Sequence, residues 1–189
     1  TREIGIRIAV GASQQRVGDL EPMPVYSATF TGIAVSAAKD LIELVMSANN
    51  RGRILEIRVG QYSDAGDAAA ELASIQIIRG FTTSGSGGAS VTPGSVKPWS
   101  RASAATVERN NTTLAQDGTG VTLISDTFNV AAGWFYKPDL GDKSAGRPDE
   151  SIEMNPSDRL VVRMPNAPAD ALSFNFTIVW EEMGKMPVS

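Results

Sequence analysis

Apolar and polar residues alternate with a period of two along most of the chain after Val25. The clearest case is "LSFNFTIVW" at 172–180, in which nearly every second residue is apolar. This spacing places the apolar side chains on one face of a strand and the polar ones on the other, so we predict a mainly β-structure. The predicted core faces are Leu172, Phe174, Phe176, Ile178 and Trp180; Leu55, Ile57 and Val59; and Leu160, Val162 and Met164.

Two segments have patterns that also fit a helix. "KDLIELVM" is a strand candidate, but Leu41, Leu44 and Val45 satisfy a period of 3.6 equally well. "GDAAAELAS" at 66–74 is the best candidate for a short helix, with Asp67 placed to cap its first turn. The first segment is therefore predicted to be either a strand or a helix, and the second is predicted to be a helix.

The segment "VTLISDTFNV" changes the face of its apolar residues part of the way along. Leu123 and Phe128 have opposite parity, so they cannot share one face of a regular strand. Such a switch indicates a β-bulge or a strand break, which we place near Ser125 and Asp126.

Strand candidates recur at roughly even spacing, with Gly, Pro, Asn and Asp turns such as "NNRG" at 49–52 between them. This spacing is typical of an all-β sandwich, and we predict a jelly-roll-like β-sandwich with an N-terminal extended arm. The sequence has no internal repeat with a period of about 20–50 residues, which argues against a propeller or solenoid. We divide the chain into an arm at 1–24, the sandwich domain at 25–183 and a C-terminal tail at 184–189.

The arm is set apart by a Pro-Met-Pro break at 22–24, which favours an extended chain. Residues 1–17 are similar to a short segment of the cytoplasmic loop of FtsX/MacB-type transporter permeases, through "TREIGIR" followed by "GAS". The match covers 17 of 189 residues, so we interpret it either as a coincidence or as an amphipathic arm, and not as evidence of transport. Fully extended, the arm reaches about 80 Å at ~3.3 Å per residue.

Two long segments lack strand alternation. Residues 81–103 contain two basic residues and no acidic ones, whereas residues 137–158 contain six acidic and three basic residues. Loops of this length inside a domain are usually functional or disordered. We expect the first segment to bridge neighbouring subunits and to become ordered only against them.

The amino-acid composition excludes most of the common catalytic mechanisms of enzymes. The chain of 189 residues has no Cys and no His, which excludes thiol nucleophiles, Cys/His zinc sites and catalytic triads that depend on histidine. We therefore expect a protein that is not an enzyme and has no cofactor. The net charge of −4 and the absence of a basic run argue against nucleic acid as a partner. The apolar runs are too short for a membrane span, so no membrane partner is expected.

Several polar motifs that suggest a binding or catalytic site are explained equally well as ordinary surface loops. Asp139, Asp142, Asp149 and Glu150 offer oxygen ligands for Ca²⁺, but EF-hand spacing is missing and a solvated acidic loop explains them equally. Paired carboxylates are also the catalytic groups of glycoside hydrolases, although nothing in the sequence sets the distance between them. "SGSGGAS" lacks the phosphate-binding patterns, so we interpret it as a surface loop. We expect no metal site.

The aromatic residues divide into two groups. "GWFYKP" at 133–138 is predicted to end a strand with two of its aromatic residues in the core. Trp99 has no local core to join because it lies in a polar segment, and we predict that it is an intersubunit anchor. The candidate contacts with neighbouring subunits are Arg2, Ile4, Ile6, Ile8, Phe81, Trp99 and Arg101.

The order of several strings resembles a group of tailed-bacteriophage and prophage virion proteins. They are "SAAKDLIEL", "ILEIRVGQYSDAGDAAAELASIQIIRGFTTSGSGG", "NNTT", "DTFNVAAGWFYKP", "RLVVRM" and "APADAL". The resemblance covers about residues 25–182, and "RGFTTSGSGG" is its most specific element. It implies a jelly-roll virion component of the capsid decoration, or cement, type without enzymatic activity.

The sequence therefore leads to one main hypothesis and one alternative. The main hypothesis is a non-enzymatic decoration protein that binds the major capsid protein and its own copies, as a trimer in one arrangement. It would lie on the outer surface of the capsid and stabilise the head by bridging capsomers. The alternative is a receptor- or carbohydrate-binding virion module in a head fibre or tail. A carboxylate-based hydrolase is a third reading.

Overall fold

Twelve β-strands and no helix form the regular structure of the described chain, which confirms the prediction of an all-β protein. The computed structural model describes residues 23–63, 71–141, 148–169 and 172–184. Within those residues, no helix has the length and apolar character needed to cross a membrane. The strands are β1 Val25–Val35, β2 Lys39–Val45, β3 Asn50–Gln61, β4 Leu72–Thr83, β5 Ala89–Val91, β6 Gly94–Ser95, β7 Thr106–Asn111, β8 Gln116–Asn129, β9 Trp134–Tyr136, β10 Glu153–Met154, β11 Arg159–Met164 and β12 Leu172–Gly184.

The strands pair into two antiparallel sheets. The first sheet has the order β10-β3-β12-β1-β6, and β9 also pairs with β3. The second sheet has the order β5-β7-β2-β11-β4-β8. The predicted β-sandwich is therefore confirmed. The pairings β1-β12-β3-β9 and β2-β11-β4-β8 are compatible with the predicted jelly-roll form, which stays a prediction.

The core lies between the inner faces of the two sheets. All five predicted core residues of β12 are at most 1% exposed, and the predicted core face of β11 is buried to the same degree. The rings of Phe128 in β8 and Phe174 in β12 meet edge to face across the sandwich, with centroids 6.4 Å apart. This geometry is favourable for aromatic pairs and ties the two sheets together. The alternation in the sequence thus predicted these faces correctly.

The core face predicted for β3 is wrong at one position. In the pairing of β3 with β12, Val179 lies opposite Glu56. The next pair joins Trp180 to Ile54, so a β-bulge leaves Leu55 without a partner position. Ile54 is consequently buried in the core, whereas Leu55 is only half-buried. Both residues are large and apolar, so the sequence alone does not distinguish them.

The helix alternatives are wrong for the described residues. "KDLIELV" is β2, which is hydrogen-bonded to β7 on one side and β11 on the other. Residues 72–74 of the predicted helix belong to β4, because Ala73 and Ile75 pack in the core of the sandwich. Tertiary burial therefore overrides the local helix preference of the alanine-rich segment. Asp67 lies outside the described residues.

The predicted irregularity of β8 is present, slightly before the expected position. Ile77 of β4 lies opposite Ile124, and the next residue, Ile78, lies opposite Thr122. Leu123 is therefore the extra residue of a β-bulge, rather than Ser125 or Asp126. The bulge accounts for the change in apolar parity along this strand.

The segment 81–103 is not a long irregular loop as predicted. β4 continues to Thr83, and β5 and β6 lie within the segment. Ser86 and Thr113 exchange two backbone hydrogen bonds of 3.0 Å, which tie the start of the segment to the chain that follows it. The described part of the other predicted loop, 137–158, contains β10. We refer to residues 84–115, which lie between β4 and β8, as the excursion.

The start of the excursion is fixed by a buried carboxylate. Glu43 of β2 is only 1% exposed. Its Oε1 accepts a hydrogen bond of 2.5 Å from the Ser84 hydroxyl, and its Oε2 accepts one of 2.9 Å from the Gly85 amide. The chain itself supplies these bonds. The hypothesis that this segment becomes ordered only against a neighbour is therefore wrong for these residues.

Candidate functional site at the Trp99 turn

The excursion crosses from the edge of the second sheet to the edge of the first and back. β5 and β7 extend the second sheet beyond β2, and β6 pairs with the beginning of β1 in the first sheet. Tyr26 lies opposite Ser95 in that pairing. The chain then turns at residues 96–101, which we call the Trp99 turn, and returns to the second sheet at β7. The Trp99 turn is thus held at the edge of the first sheet.

The turn presents its largest side chain to solvent. Trp99 is 76% exposed, and Val96 beside it is also exposed. The turn closes through the Ser100 amide, which donates to the Lys97 carbonyl at 3.0 Å. The Ser95 hydroxyl donates to the same carbonyl at 2.6 Å. An exposed tryptophan on a closed turn is the kind of side chain that dominates binding energy at protein interfaces.

Tyr26 forms the first anchor beneath the turn. Its ring is fully buried and packs against Trp180 with centroids 5.9 Å apart. Its hydroxyl donates a hydrogen bond of 2.9 Å to the Arg101 carbonyl. Burial raises the pKa of Tyr26, and the negative charge of Glu182 raises it further. The hydroxyl therefore keeps its proton and remains a donor to the turn.

Glu182 of β12 forms the second anchor. Its side chain is fully buried, and burial on its own raises the pKa of a carboxyl group. The hydrogen bonds from Ser103 and neighbouring donors outweigh that cost, so the pKa of Glu182 lies below its usual value. The carboxylate is therefore charged and accepts five hydrogen bonds. Their donors are the Ser103 hydroxyl, the Ala104 amide at 3.1 Å, the Ala105 amide at 3.3 Å, Asn50 Nδ2 at 3.0 Å and Trp180 Nε1 at 3.3 Å.

The two anchors place the turn between fixed points. Val96 is tied to the sheet at the near end, because its amide donates to the Val25 carbonyl at 2.9 Å. Residues 101–105 are tied at the far end by Tyr26 and Glu182. Ordering a loop on binding costs free energy, and a loop that is already ordered avoids most of that cost. The arrangement therefore suits Trp99 to bind a protein partner.

The other predicted contact residues do not all lie at this turn. Arg101 does, and its side chain is exposed. Phe81 lies on the other sheet, where its half-buried ring is 4.9 Å from the guanidinium of Arg163. The Phe81 carbonyl accepts a hydrogen bond of 2.9 Å from Arg159. Phe81 is thus separated from Trp99, and a contact role for it stays a prediction. Arg2, Ile4, Ile6 and Ile8 lie outside the described residues.

A buried ion-pair network on the second sheet was missed by the sequence reasoning. Asp40 and Glu43 of β2 are at most 1% exposed. Arg163 binds Asp40 with N–O distances of 2.5 and 3.1 Å, and Arg159 binds Glu43 at 2.6 Å. Asp40 also accepts the Ala115 amide at 2.6 Å. The network fastens both ends of the excursion to the sheet. Charges inside predicted strands were its only signal in the sequence.

The described acidic residues at 139–150 are engaged in local structure. Asp149 accepts hydrogen bonds from the Ser151 amide at 2.8 Å and from Arg53 Nη1 at 2.7 Å. Bonds from Ser151 and Arg53 lower the pKa of Asp149. The described residues include no group of three or more His, Cys, Asp or Glu side chains placed to hold a metal ion. Asp142 lies outside the described residues.

The "GWFYKP" aromatics divide as predicted. Trp134 and Tyr136 are half-buried and pack against the core, and Trp134 Nε1 donates to Asp126 at 2.9 Å. Phe135 points outward and is 69% exposed. It begins a row of directly opposed residues across the outer face of the first sheet, formed by Phe135, Arg58, Thr177 and Thr29. Opposed residues share a face, and the hydroxyls of Thr29 and Thr177 lie 3.2 Å apart.

Comparison with known proteins gives little further information. No protein-family model matches the sequence, and no curated protein matches it. A search of solved structures finds a chain from a single-particle structure of Maize Chlorotic Mottle Virus, with 12% sequence identity and a TM-score of 0.21. The match covers 87% of this chain and 97% of the viral one. A similarity of this size carries no argument about fold or function, so the phage resemblance stays a prediction.

Proposed function

We propose that this chain is a non-enzymatic structural protein of a virion, of the capsid decoration or cement type. It binds the shell of the major capsid protein from outside and stabilises the head by bridging neighbouring capsomers. The observation that carries the proposal is the exposed Trp99 on its doubly anchored turn. The resemblance of residues 25–182 to phage virion proteins supports it as well. The proposal includes no cofactor, nucleic-acid or membrane partner.

The physical basis of the proposed role is mechanical. A bridging protein must transmit load without yielding, and the buried ion pairs of Asp40 and Glu43 fasten the excursion to the sandwich. Trp99 then holds the protein to the subunit that lies beside it on the shell. Each contact is individually modest, but repetition over a symmetric shell lets many weak contacts act together through avidity.

Binding to isolated shells tests the proposal. Undecorated shells of the parent particle are mixed with the purified protein, and bound protein is measured by co-sedimentation. We expect binding and a higher temperature of shell disruption. Trp99→Ala should weaken binding about 30-fold, which corresponds to the ~2 kcal/mol of an interface hot spot. Val121→Ala, at an exposed position of the second sheet, is the matched control. Shells that bind no protein would contradict the proposal.

A receptor- or carbohydrate-binding virion module is the second candidate function. The row from Phe135 to Thr29 supports it, because an exposed aromatic ring beside hydroxyl groups suits the apolar and polar faces of a sugar. A glycan array probed with the purified protein tests this candidate. Signals that Phe135→Ala abolishes and Trp99→Ala leaves intact would favour it, and an array without signal would eliminate it.

A further inference from the structure

The exposed apolar side chains concentrate at the two opposite edges of the first sheet. Eight large apolar side chains are exposed among the described residues, and five of them lie at these edges. One edge, beside β6 and the start of β1, we call the tryptophan edge. The other, formed by β9 and the residues after it, we call the phenylalanine edge. Their exposed apolar residues are Met23, Val96 and Trp99 at the first, and Phe135 and Leu140 at the second.

The two edges differ in charge. Lys97 and Arg101 flank Trp99, and the segment 81–103 contains no acidic residue. At the phenylalanine edge, Asp139 and Glu150 are held side by side, since the Glu150 amide donates to the Asp139 carbonyl at 2.8 Å. The described residues of the segment 137–158 include five acidic residues and one basic residue, and two of these carboxylates, Asp149 and Glu153, pair with Arg53 and Arg51. The edges are therefore complementary in sign as well as in apolar character.

Their placement decides what kind of assembly they can make. β6 and β9 are separated by β1, β12 and β3 in the sheet order, or roughly 19 Å at about 4.8 Å per strand. A contact that joins two different surfaces of the same protein is heterologous. Such contacts propagate head to tail and close into a ring when the rotation between copies permits. A two-fold dimer that spans both edges also brings each edge of one copy against the other edge of its partner, but it stops at two copies.

We infer that the tryptophan edge of one copy docks on the phenylalanine edge of a second copy of this chain. Trp99 packs against Phe135 and Leu140 of its neighbour. Lys97 and Arg101 face the carboxylates of Asp139 and Glu150. The inference deepens the proposed function, because it identifies the neighbour that Trp99 contacts as a second copy of this chain.

Engineered cysteines test the arrangement directly, because the sequence has no Cys of its own. Ser100→Cys marks the tryptophan edge and Lys137→Cys marks the phenylalanine edge. Under mild oxidation, neither single variant should form a disulfide with its own kind, whereas the double variant should form covalent oligomers on non-reducing gels. A mixture of the two single variants should give a cross-linked pair. Self-cross-linking of Ser100→Cys alone, or no cross-link in the double variant, would overturn the inference.

Charge reversal gives an independent test. Arg101→Glu and Glu150→Arg each place like charges together, and we expect each to weaken self-association at least tenfold in analytical ultracentrifugation. The double variant R101E/E150R should recover the association of the unchanged protein. All four positions in these tests are surface positions, and circular dichroism checks that each variant is folded. Absence of recovery in the double variant would count against the docking of these two edges.

The proposed function and this inference fail in different ways. A protein that stays monomeric in solution and still binds shells through Trp99 would overturn the docking of the two edges and leave the decoration role. A protein that self-associates through these edges but does not bind shells would overturn the decoration role and leave the docking. Sedimentation of the free protein and co-sedimentation with shells therefore separate the two outcomes.

Discussion

The hydroxyl of Ser103 donates a hydrogen bond to the buried carboxylate of Glu182, which lies 79 residues later in the chain. This bond joins the excursion to the middle strand of the first sheet. The amides of Ala104 and Ala105 donate to the same carboxylate. A single acidic side chain thus fixes the backbone directly after the Trp99 turn.

We predict that Glu182→Gln destabilises the protein by about 1–3 kcal/mol, although the two side chains have nearly the same shape. Both carboxylate oxygens accept hydrogen bonds, and the glutamine amide group would set its own N–H donors against those of the protein. Chemical denaturation measures the change. Glu150→Gln, at an exposed position, should change stability by less than about 0.5 kcal/mol. Equal effects of the two substitutions would contradict the anchoring role.

Stability should also fall in acid through Glu182. The folded protein lowers the pKa of this carboxyl group below its unfolded value of about 4.3. The folded state therefore binds fewer protons, so the stabilisation is fully present above that value and is lost as the pH falls through the folded pKa. Denaturation at pH 7, 4 and 3 should give a steeper loss for the unchanged protein than for Glu182→Gln. Parallel curves would remove Glu182 as the cause.

Removing only one partner of the Asp40–Arg163 ion pair should strongly lower the free energy of unfolding. Asp40→Ala or Arg163→Ala leaves a buried charge without its partner, and we expect each to cost about 3–5 kcal/mol. The double substitution should cost less than the sum, because no charge is then stranded. The control pair, Arg51 and Glu153, lies 3.3 Å apart but is partly exposed. Its coupling energy should be at most about 1 kcal/mol, and similar coupling in both pairs would show that burial is not the determinant.

Gly88→Ala should destabilise the excursion. A methyl group there would collide with the Asn111 side chain and with the Arg109 carbonyl of β7. Since the carbonyl belongs to a paired strand and cannot move away cheaply, we expect a loss of about 1–3 kcal/mol. Gly60→Ala, where no atom lies within 4 Å of the added carbon, is the matched substitution. Thermal unfolding of both variants measures the difference, and a stable Gly88→Ala protein would show that the excursion tolerates displacement.

The sequence predicted the strands and their core faces better than it predicted the β-bulges that interrupt them. The core face of β12 follows from alternation because every core position obeys it. The sequence did not give the exact positions of the bulges at Leu55 and Leu123. The extra residue of a bulge is defined by the pairing with the opposite strand, and not by the residues next to it in the sequence. The position of a bulge depends on pairing between distant segments. Local pattern therefore gives the faces but not the register shifts.

The same reason explains what was predicted of the candidate site. Trp99 was identified because a large aromatic residue in a polar segment has no local core. The anchors beneath it were not identified, since Tyr26 and Glu182 lie 75 or more residues away in the chain from the groups that they hold. The glycine- and serine-rich excursion has no alternation of its own. Its order comes from carboxylates on other strands, such as Glu43.

The central position of β12 also determines when the first sheet can form during synthesis of the chain. β1 and β3 do not pair with each other, because each pairs with β12, and β12 follows every other described strand in the chain. A polypeptide emerging from the ribosome therefore lacks both the seam of the first sheet and the carboxylate of Glu182 until residues 172–184 have been made. The Trp99 turn is fixed only then. Chains that lack β12 therefore have no fixed Trp99 turn with which to associate.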